Sequence, residues 1–154
     1  MKPTKLILLL VVAVLGCWRS DAQTYDTNNV VVQTFAGYGI PGYLDGQGQW
    51  TEFSNPSQIA ADTASNLYVW DSGNHLIRKI TPDATVSTFA GGGAAFEGYG
   101  TNVSLNWGTV GAMVMDHANT LWIVMVDGYY GSGLSYLLNI RTNGDVSIEN
   151  GGLT

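Results

Sequence analysis

The chain has 154 residues, of which 45% are hydrophobic and 12% charged, with one cysteine and a net charge of −6. That length allows one ordinary domain, and the single Cys17 excludes a disulfide scaffold. The acidic balance speaks against nucleic acid or anionic lipid as a partner.

At the N-terminus, Lys2 and Lys5 precede an unbroken apolar run from Leu6 to Leu15, and Ser20-Asp21-Ala22 supplies small residues ahead of Gln23. The run is too short to cross a bilayer as a helix, which takes about 20 residues. Residues 1–22 therefore read as a secretory signal peptide. Val14-Leu15-Gly16-Cys17 also resembles a bacterial lipobox, although Leu15 departs from the small residue usual at its position. In that alternative the signal ends at residue 16 and Cys17 carries lipid, the one route by which this chain would be held to a membrane. Both readings place the protein outside the cytoplasm, as a secreted, periplasmic or cell-surface protein. Residues 23–154 then carry Arg78, Lys79 and Arg141 against eleven acidic side chains, a net charge of about −8 (3 − 11), and no cysteine.

The next elements have a period of two. Val31 to Ala36 reads as a strand, and a glycine-rich connection follows from Gly37 to Gly48. Gln58–Ala61 is a second short apolar run. After the turn Thr63-Ala64-Ser65-Asn66, Leu67, Val69 and Asp71 alternate with Tyr68 and Trp70. Leu76–Ile80 and Thr85–Phe89 complete a set of four strands, all short, β-branched or aromatic, and bounded by turn residues. The set then returns. Thr34-Phe35-Ala36-Gly37 recurs as Thr88-Phe89-Ala90-Gly91, a shift of 54 (88 − 34) that carries Phe53 onto Trp107, Ile59 onto Met113, Asp62 onto Asp116 and Leu67 onto Leu121. Trp70 and Val124 are equivalent at this shift and are both expected to pack between sheets. Later the shift grows to 60, so that Ile80 to Ser87 aligns with Ile140 to Ser147. A sustained offset marks a repeat architecture in which each unit stacks on its neighbours. Four short antiparallel strands per unit, with hardly a helical stretch, make an all-β fold built of propeller blades.

The stretch from Asn66 to Asp83, with its Asp71-Ser72-Gly73-Asn74-His75 turn and its Ile77-Arg78-Lys79-Ile80 strand, is followed by Val86-Ser87-Thr88-Phe89-Ala90-Gly91. It resembles the NHL-repeat family of β-propellers, and the likeness covers most of Val31 to Asn150. The resemblance implies an NHL-type partial propeller: an orphan strand over 31–36, one blade of about 56–91 and a second of about 110–151. Two blades do not close a ring, since propellers use about four to eight. The expectation is therefore either further blades in a longer chain or closure by several copies. The family includes binding modules and enzymes, so the likeness by itself assigns no reaction.

The six residues (60 − 54) that lengthen the second unit fall around Asp127 to Gly133. An insertion in a repeat maps to a loop on one face, often the binding face. Tyr129 and Tyr130 are accordingly the candidate ligand-binding residues, for a protein or carbohydrate ligand. Asp45-Gly46-Gln47-Gly48 invites a calcium reading, but one carboxylate falls far short of the six to eight oxygens that ion takes, and turn chemistry explains it better. His75 reads as bracing its turn. His117 has no partner at metal-ligand spacing, and Asp62 and Asp116 read as turn formers at strand ends. No G-x-S-x-G elbow, H-E-x-x-H helix or Walker loop occurs, so no catalytic residue, metal ligand or cofactor is expected. The resulting reading is a secreted binding or scaffold module. Its alternative is the N-terminal fragment of a propeller enzyme of the lactonase or lyase kind.

Overall fold

The structure is a computed structural model that describes residues 33–95, 98–106, 108–127 and 135–153. Cys17, residues 1–22, Trp107, Tyr129 and Tyr130 lie outside the described residues. The fold is all-β, with two antiparallel five-stranded sheets.

The first sheet contains β1 (Gly46–Gln47), β2 (Pro56–Ala61), β3 (Leu67–Asp71), β4 (Leu76–Ile80) and β5 (Thr85–Gly91), in the order β1-β5-β4-β3-β2. The second contains β6 (Gly98–Tyr99), β7 (Gly108–Met115), β8 (Leu121–Asp127), β9 (Ser135–Ile140) and β10 (Asp145–Leu153), in the order β6-β10-β9-β8-β7. Each is a four-strand meander, as the period-two pattern predicts. The fifth member, β1 or β6, comes from the glycine-rich connection that precedes the sheet, and it caps the edge of the last strand through Gly46↔Val86 in one unit and Gly98↔Val146 in the other. Those pairings cover the first two residues of β5 and of β10, which shortens the open edge that each strand presents.

The repeat is visible in small defects as well as in the strands. Both first strands slip register at the same place, between Pro56 and Gln58 in β2 and between Val110 and Ala112 in β7. Among the described residues each unit has one 3-10 turn, Gly48–Trp50 and Gly100–Asn102. Those turns stand 52 residues apart (100 − 48), not 54. Phe53 consequently has Leu105 rather than Trp107 as its counterpart. Phe53 lies 3.4 Å from where a Cβ on Gly37 would sit, and Leu105 lies 3.3 Å from the same point on Gly91. Both glycines have φ near +100°, a conformation that a side chain would strain; at Gly91 a Cβ would also meet the His75 carbonyl oxygen at 2.5 Å, whereas at Gly37 the conformation alone calls for glycine. Two further residues enter between that point and β7, which restores the 54-residue shift in the strands.

Two apolar clusters follow. The larger lies between the sheets: Tyr68, Trp70, Ile77 and Ala90 of the first meet Leu121, Ile123, Met125, Leu138, Ile140 and Val146 of the second, with Val103 and Leu105 of the second connection. The smaller covers the other face of the first sheet, where Phe35, Ala36 and Phe53 of the first connection pack on Leu67, Val69, Ile80 and Val86. Burying each such aliphatic side chain contributes about 1.5–3 kcal/mol. Strand β3 is therefore buried on both faces along its whole length, whereas β8 is buried only on alternate residues from Leu121 to Met125. Trp70 is buried as expected, and its equivalent Val124 is only half-buried, because among the described residues no further sheet covers that side of β8.

The expected strand over 31–36 is described from Gln33 onward, and Gln33 to Ala36 form no strand. A strand needs ladder partners for its backbone groups, and at the start of β5 that place is taken by β1. Phe35 and Ala36 contribute apolar side chains to the smaller cluster instead.

Candidate functional site

The turn after β3 and the strand after it organise the first glycine-rich connection. Asp71 ends β3 with its side chain fully buried, and Arg78 on β4 is buried beside it. One oxygen of Asp71 accepts from the Ser54 backbone N–H at 2.6 Å. The other accepts from Asn74 Nδ2 at 2.7 Å and from Arg78 Nη1 at 3.1 Å. Arg78 Nη1 also donates to the Glu52 carbonyl at 3.0 Å, while Nη2 pairs with Asp45. The second oxygen of Asp45 accepts from the Thr88 N–H at 3.0 Å. Asn74 Nδ2 reaches the Gly42 carbonyl at 2.7 Å, and the guanidinium sits 5.2 Å from the centre of the Phe53 ring. Five positions of the connection, at residues 42, 45, 52, 53 and 54, are thereby fixed to the sheet. The Asp71 and Asp45 oxygens are all engaged, which gives Asp45 a structural use as a turn residue.

The connection also bonds to itself. Tyr38 N–H donates to the Thr51 carbonyl at 2.9 Å, Gly42 N–H to the Phe53 carbonyl at 3.2 Å, and Glu52 N–H to the Leu44 carbonyl at 3.1 Å. Phe35 and Phe53 face the sheet; Tyr38, Ile40, Tyr43, Leu44 and Trp50 face water, each more than half exposed. The rings of Tyr38 and Trp50 stack with centroids 6.4 Å apart and planes 11° from parallel. At the equivalent places the second connection carries Gly92 and Asn102, and both are exposed although the first sheet packs beside that connection. The Tyr38–Trp50 surface therefore belongs to the outside of the molecule and not to the boundary between sheets.

Asp62 and Asp116 form the turns ahead of β3 and β8, as their positions predict. Asp62 accepts from the Ala64 and Asn66 N–H groups, from Asn66 Nδ2 and from the Tyr68 hydroxyl. Asp116 accepts from the Ala118 and Thr120 N–H groups and from Trp122 Nε1 at 2.8 Å. Burial pushes the Asp62 carboxyl up, but the bonds from Asn66 and Tyr68 outweigh it and hold it below the usual carboxylate range. The Trp122 bond does the same for Asp116. Burial, with Asp62 beside it, pushes the Tyr68 phenol up to about 12. His75 takes a left-handed φ of 55° in the β3–β4 turn, with its ring 6.2 Å from Trp70. His117 is exposed next to Asp116.

Of the residues singled out in the sequence, Asp45, Asp71, Asn74 and Arg78 are brought together, Asp62 and Asp116 stand at separate turns, and Tyr129, Tyr130 and Cys17 lie outside the described residues. Sequence reasoning missed Tyr38 and Trp50. The available signal was a contrast between copies: the first connection is aromatic at positions where the second has glycine and asparagine.

No family model matches the chain, and no curated protein matches it. Among solved structures it is similar to a candidate phosphatase from Bacteroides thetaiotaomicron, at 22% identity over 77% of this chain and 27% of that one, with a TM-score of 0.49. It is also similar to auxiliary nutrient binding proteins from Bacteroides thetaiotaomicron (23% identity, 73% and 27% covered, TM-score 0.43) and Bacteroides ovatus (21%, 76% and 28%, 0.39). The chain spans little more than a quarter of the length of these structures.

Proposed function

We propose that this chain is an extracytoplasmic NHL-type β-propeller segment that works as a binding module, with the outward surface of its first connection as the contact surface for a protein or carbohydrate ligand. The observation that carries the reading is the exposed, stacked Tyr38–Trp50 pair on a connection that buried Asp71 and Arg78 hold in place. Tyrosine and tryptophan offer large amphipathic contact area at low entropic cost. A surface already fixed before binding avoids the ordering penalty that a loose loop would incur. The four-strand meanders with matching bulges support the propeller assignment, and the pattern of residues 1–22 supports export. The strand-end carboxylates of Asp62, Asp71 and Asp116 are saturated by hydrogen-bond donors, which suits structural duty better than acid–base chemistry.

The test is to screen the exported chain against glycan and protein arrays, then repeat any hit with Trp50→Ala and Tyr38→Ala. Binding should fall at least about tenfold, the equivalent of about 1.4 kcal/mol, with thermal unfolding unchanged. Absence of binding on both arrays, or a hit indifferent to both substitutions, overturns the reading.

A further inference from the structure

The second connection holds the sequence Asn102-Val103-Ser104. An asparagine followed two places on by serine or threonine, with no proline between, is the acceptor pattern for an N-linked oligosaccharide in an exported chain. No other stretch of the chain meets it: Asn55-Pro56-Ser57 has the spacing, but its central proline disqualifies it.

The structure separates Asn102 from the asparagines around it. Asn55, Asn66, Asn74 and Asn139 donate through Nδ2 to groups in their turns and neighbouring strands. Asn106 and Asn143 accept through Oδ1, and Asn119 does both where the two sheets meet. Asn102 makes no side-chain hydrogen bond to any described residue, and it is exposed. Its backbone, by contrast, is fixed. Asn102 ends the 3-10 turn, whose first residue, Gly100, donates its N–H to the Gly144 carbonyl at 2.6 Å. The Asn102 carbonyl accepts from the Ala95 N–H at 3.1 Å, and a Cβ on Gly93 would come within 2.0 Å of that carbonyl. Val103 beyond it is 0% exposed. An amide that stabilises nothing therefore stands in water on an anchored turn.

We infer that Asn102 is the acceptor of an N-linked oligosaccharide, added during export before the second connection packs. The donor is a lipid-diphosphate-linked oligosaccharide of the exporting cell. Asn102 Nδ2 attacks its anomeric carbon, the N–C bond forms as the C–O bond to the diphosphate breaks, and the diphosphate leaves with the electron pair. Nδ2 gives up one proton to a base of the transferring enzyme. The order of events follows from Ser104, whose hydroxyl completes the acceptor pattern. In the folded chain Ser104 is only 9% exposed and its Oγ donates to Asn106 Oδ1 at 2.6 Å, so the pattern is readable before folding and hidden after it. The two 3-10 turns end on Trp50 in the first unit and Asn102 in the second. A glycan thus covers the second unit where the first presents its aromatic pair. The inference rests on the export of this chain and is independent of the ligand surface at Tyr38 and Trp50.

The experiment expresses the full chain in eukaryotic secretory cells, which supply the donor and its transferase. The secreted protein should carry one oligosaccharide, released by peptide N-glycosidase with an aspartate left at residue 102. Asn102→Gln should abolish the mass shift, with the same unfolding midpoint as the deglycosylated parent, and Ser104→Thr should retain it. Unglycosylated chain purified in its folded state should stay unmodified when given the same donor and transferase. A secreted protein unmodified at residue 102, or a shift that persists in Asn102→Gln, overturns the inference, and modification of the folded chain overturns the order of events. Retention in the cytoplasm with Met1 intact overturns the export reading, and this inference with it.

Discussion

In the first sheet, the place where β3 runs into its turn is held by Asp71, with Arg78 beside it on β4, both side chains fully buried. In the second sheet the same two places are Met125 and Leu138, also buried, and the charge is gone. The backbone around them is unchanged: Val69 pairs with Arg78 as Ile123 pairs with Leu138. The sheet does not need the ion pair to form. What differs is the connection alongside. The first is tied to the sheet by Arg78, Asp71 and Asn74, whereas the second is held by its own backbone bonds, such as Gly93 N–H to the Val103 carbonyl and Ser104 N–H to the Ala95 carbonyl. The charged version occurs where the connection presents exposed aromatic rings, and a buried charge network of this sort fixes geometry more than it adds stability.

The comparison breaks most visibly at Arg78. Arg78→Ala leaves Asp71 buried without its cation and should cost about 3–5 kcal/mol in urea unfolding. The double change Asp71→Met with Arg78→Leu, which imports the pair used by the second sheet, should recover most of that loss while weakening the hold on residues 42–54. A double variant as unstable as Arg78→Ala would mean that the two interiors are not interchangeable.

Leucine truncation probes the difference in cover. Leu67→Ala and Leu121→Ala should each cost about 2–5 kcal/mol. Leu121 should cost more, because it is fully enclosed between the sheets while Leu67 keeps 9% exposure. Equal losses, or a larger one at Leu67, would contradict the difference in enclosure.

The response to pH should separate the units at the alkaline end and not at the acid end. Asp62 and Asp116 both have carboxyls held below their ordinary value of 3.8. Each therefore adds stability that is present above that value and is lost as pH falls through the lower folded value. Both units should weaken together in acid, and Asp62→Asn and Asp116→Asn should each flatten the profile. Tyr68 behaves oppositely: its phenol is raised from 10.0 to about 12, so its contribution is complete below pH 10 and is lost as pH climbs through 12. The second sheet has Trp122 at that place, which does not titrate. Tyr68→Phe should flatten unfolding midpoints between pH 10 and 12, and a profile unchanged by that substitution would remove the asymmetry.

The smallest effect lies in the turns before β5 and β10. Ala84 has a φ of 65° where Gly144 has 85°. A left-handed alanine costs about 1–2 kcal/mol in strain, offset by the greater entropy that glycine loses on folding. Ala84→Gly should raise stability by roughly 0.5 kcal/mol, whereas Gly144→Ala should lower it by about 1 kcal/mol, both read from denaturant midpoints.

Sequence by itself determined the strands, the turns and their recurrence, because these depend on local chemistry. Alternation of apolar residues sets a strand face, and Leu67–Asp71 and Leu76–Ile80 match β3 and β4 residue for residue. An aspartate two residues before a turn N–H places the bonds of Asp62 and Asp116. Tertiary structure alone decided which faces are covered. The alternation in β3 and β8 is alike, yet one strand is enclosed on both sides and the other on one, since enclosure depends on the neighbouring sheet. It also decided that β1 and β6 extend the sheets, because two residues of glycine-containing chain carry no periodic signal and pair only once β5 and β10 are in place. The 52-residue register of the connections shows in the 3-10 turns at Gly48 and Gly100 and in the packing of Phe53 over Gly37 and Leu105 over Gly91. Asp71 and Arg78 were legible as part of a repeat signature, but their grip on residues far away in the chain was not, because a side chain's partner across 26 or 33 residues is set by how the connection folds back.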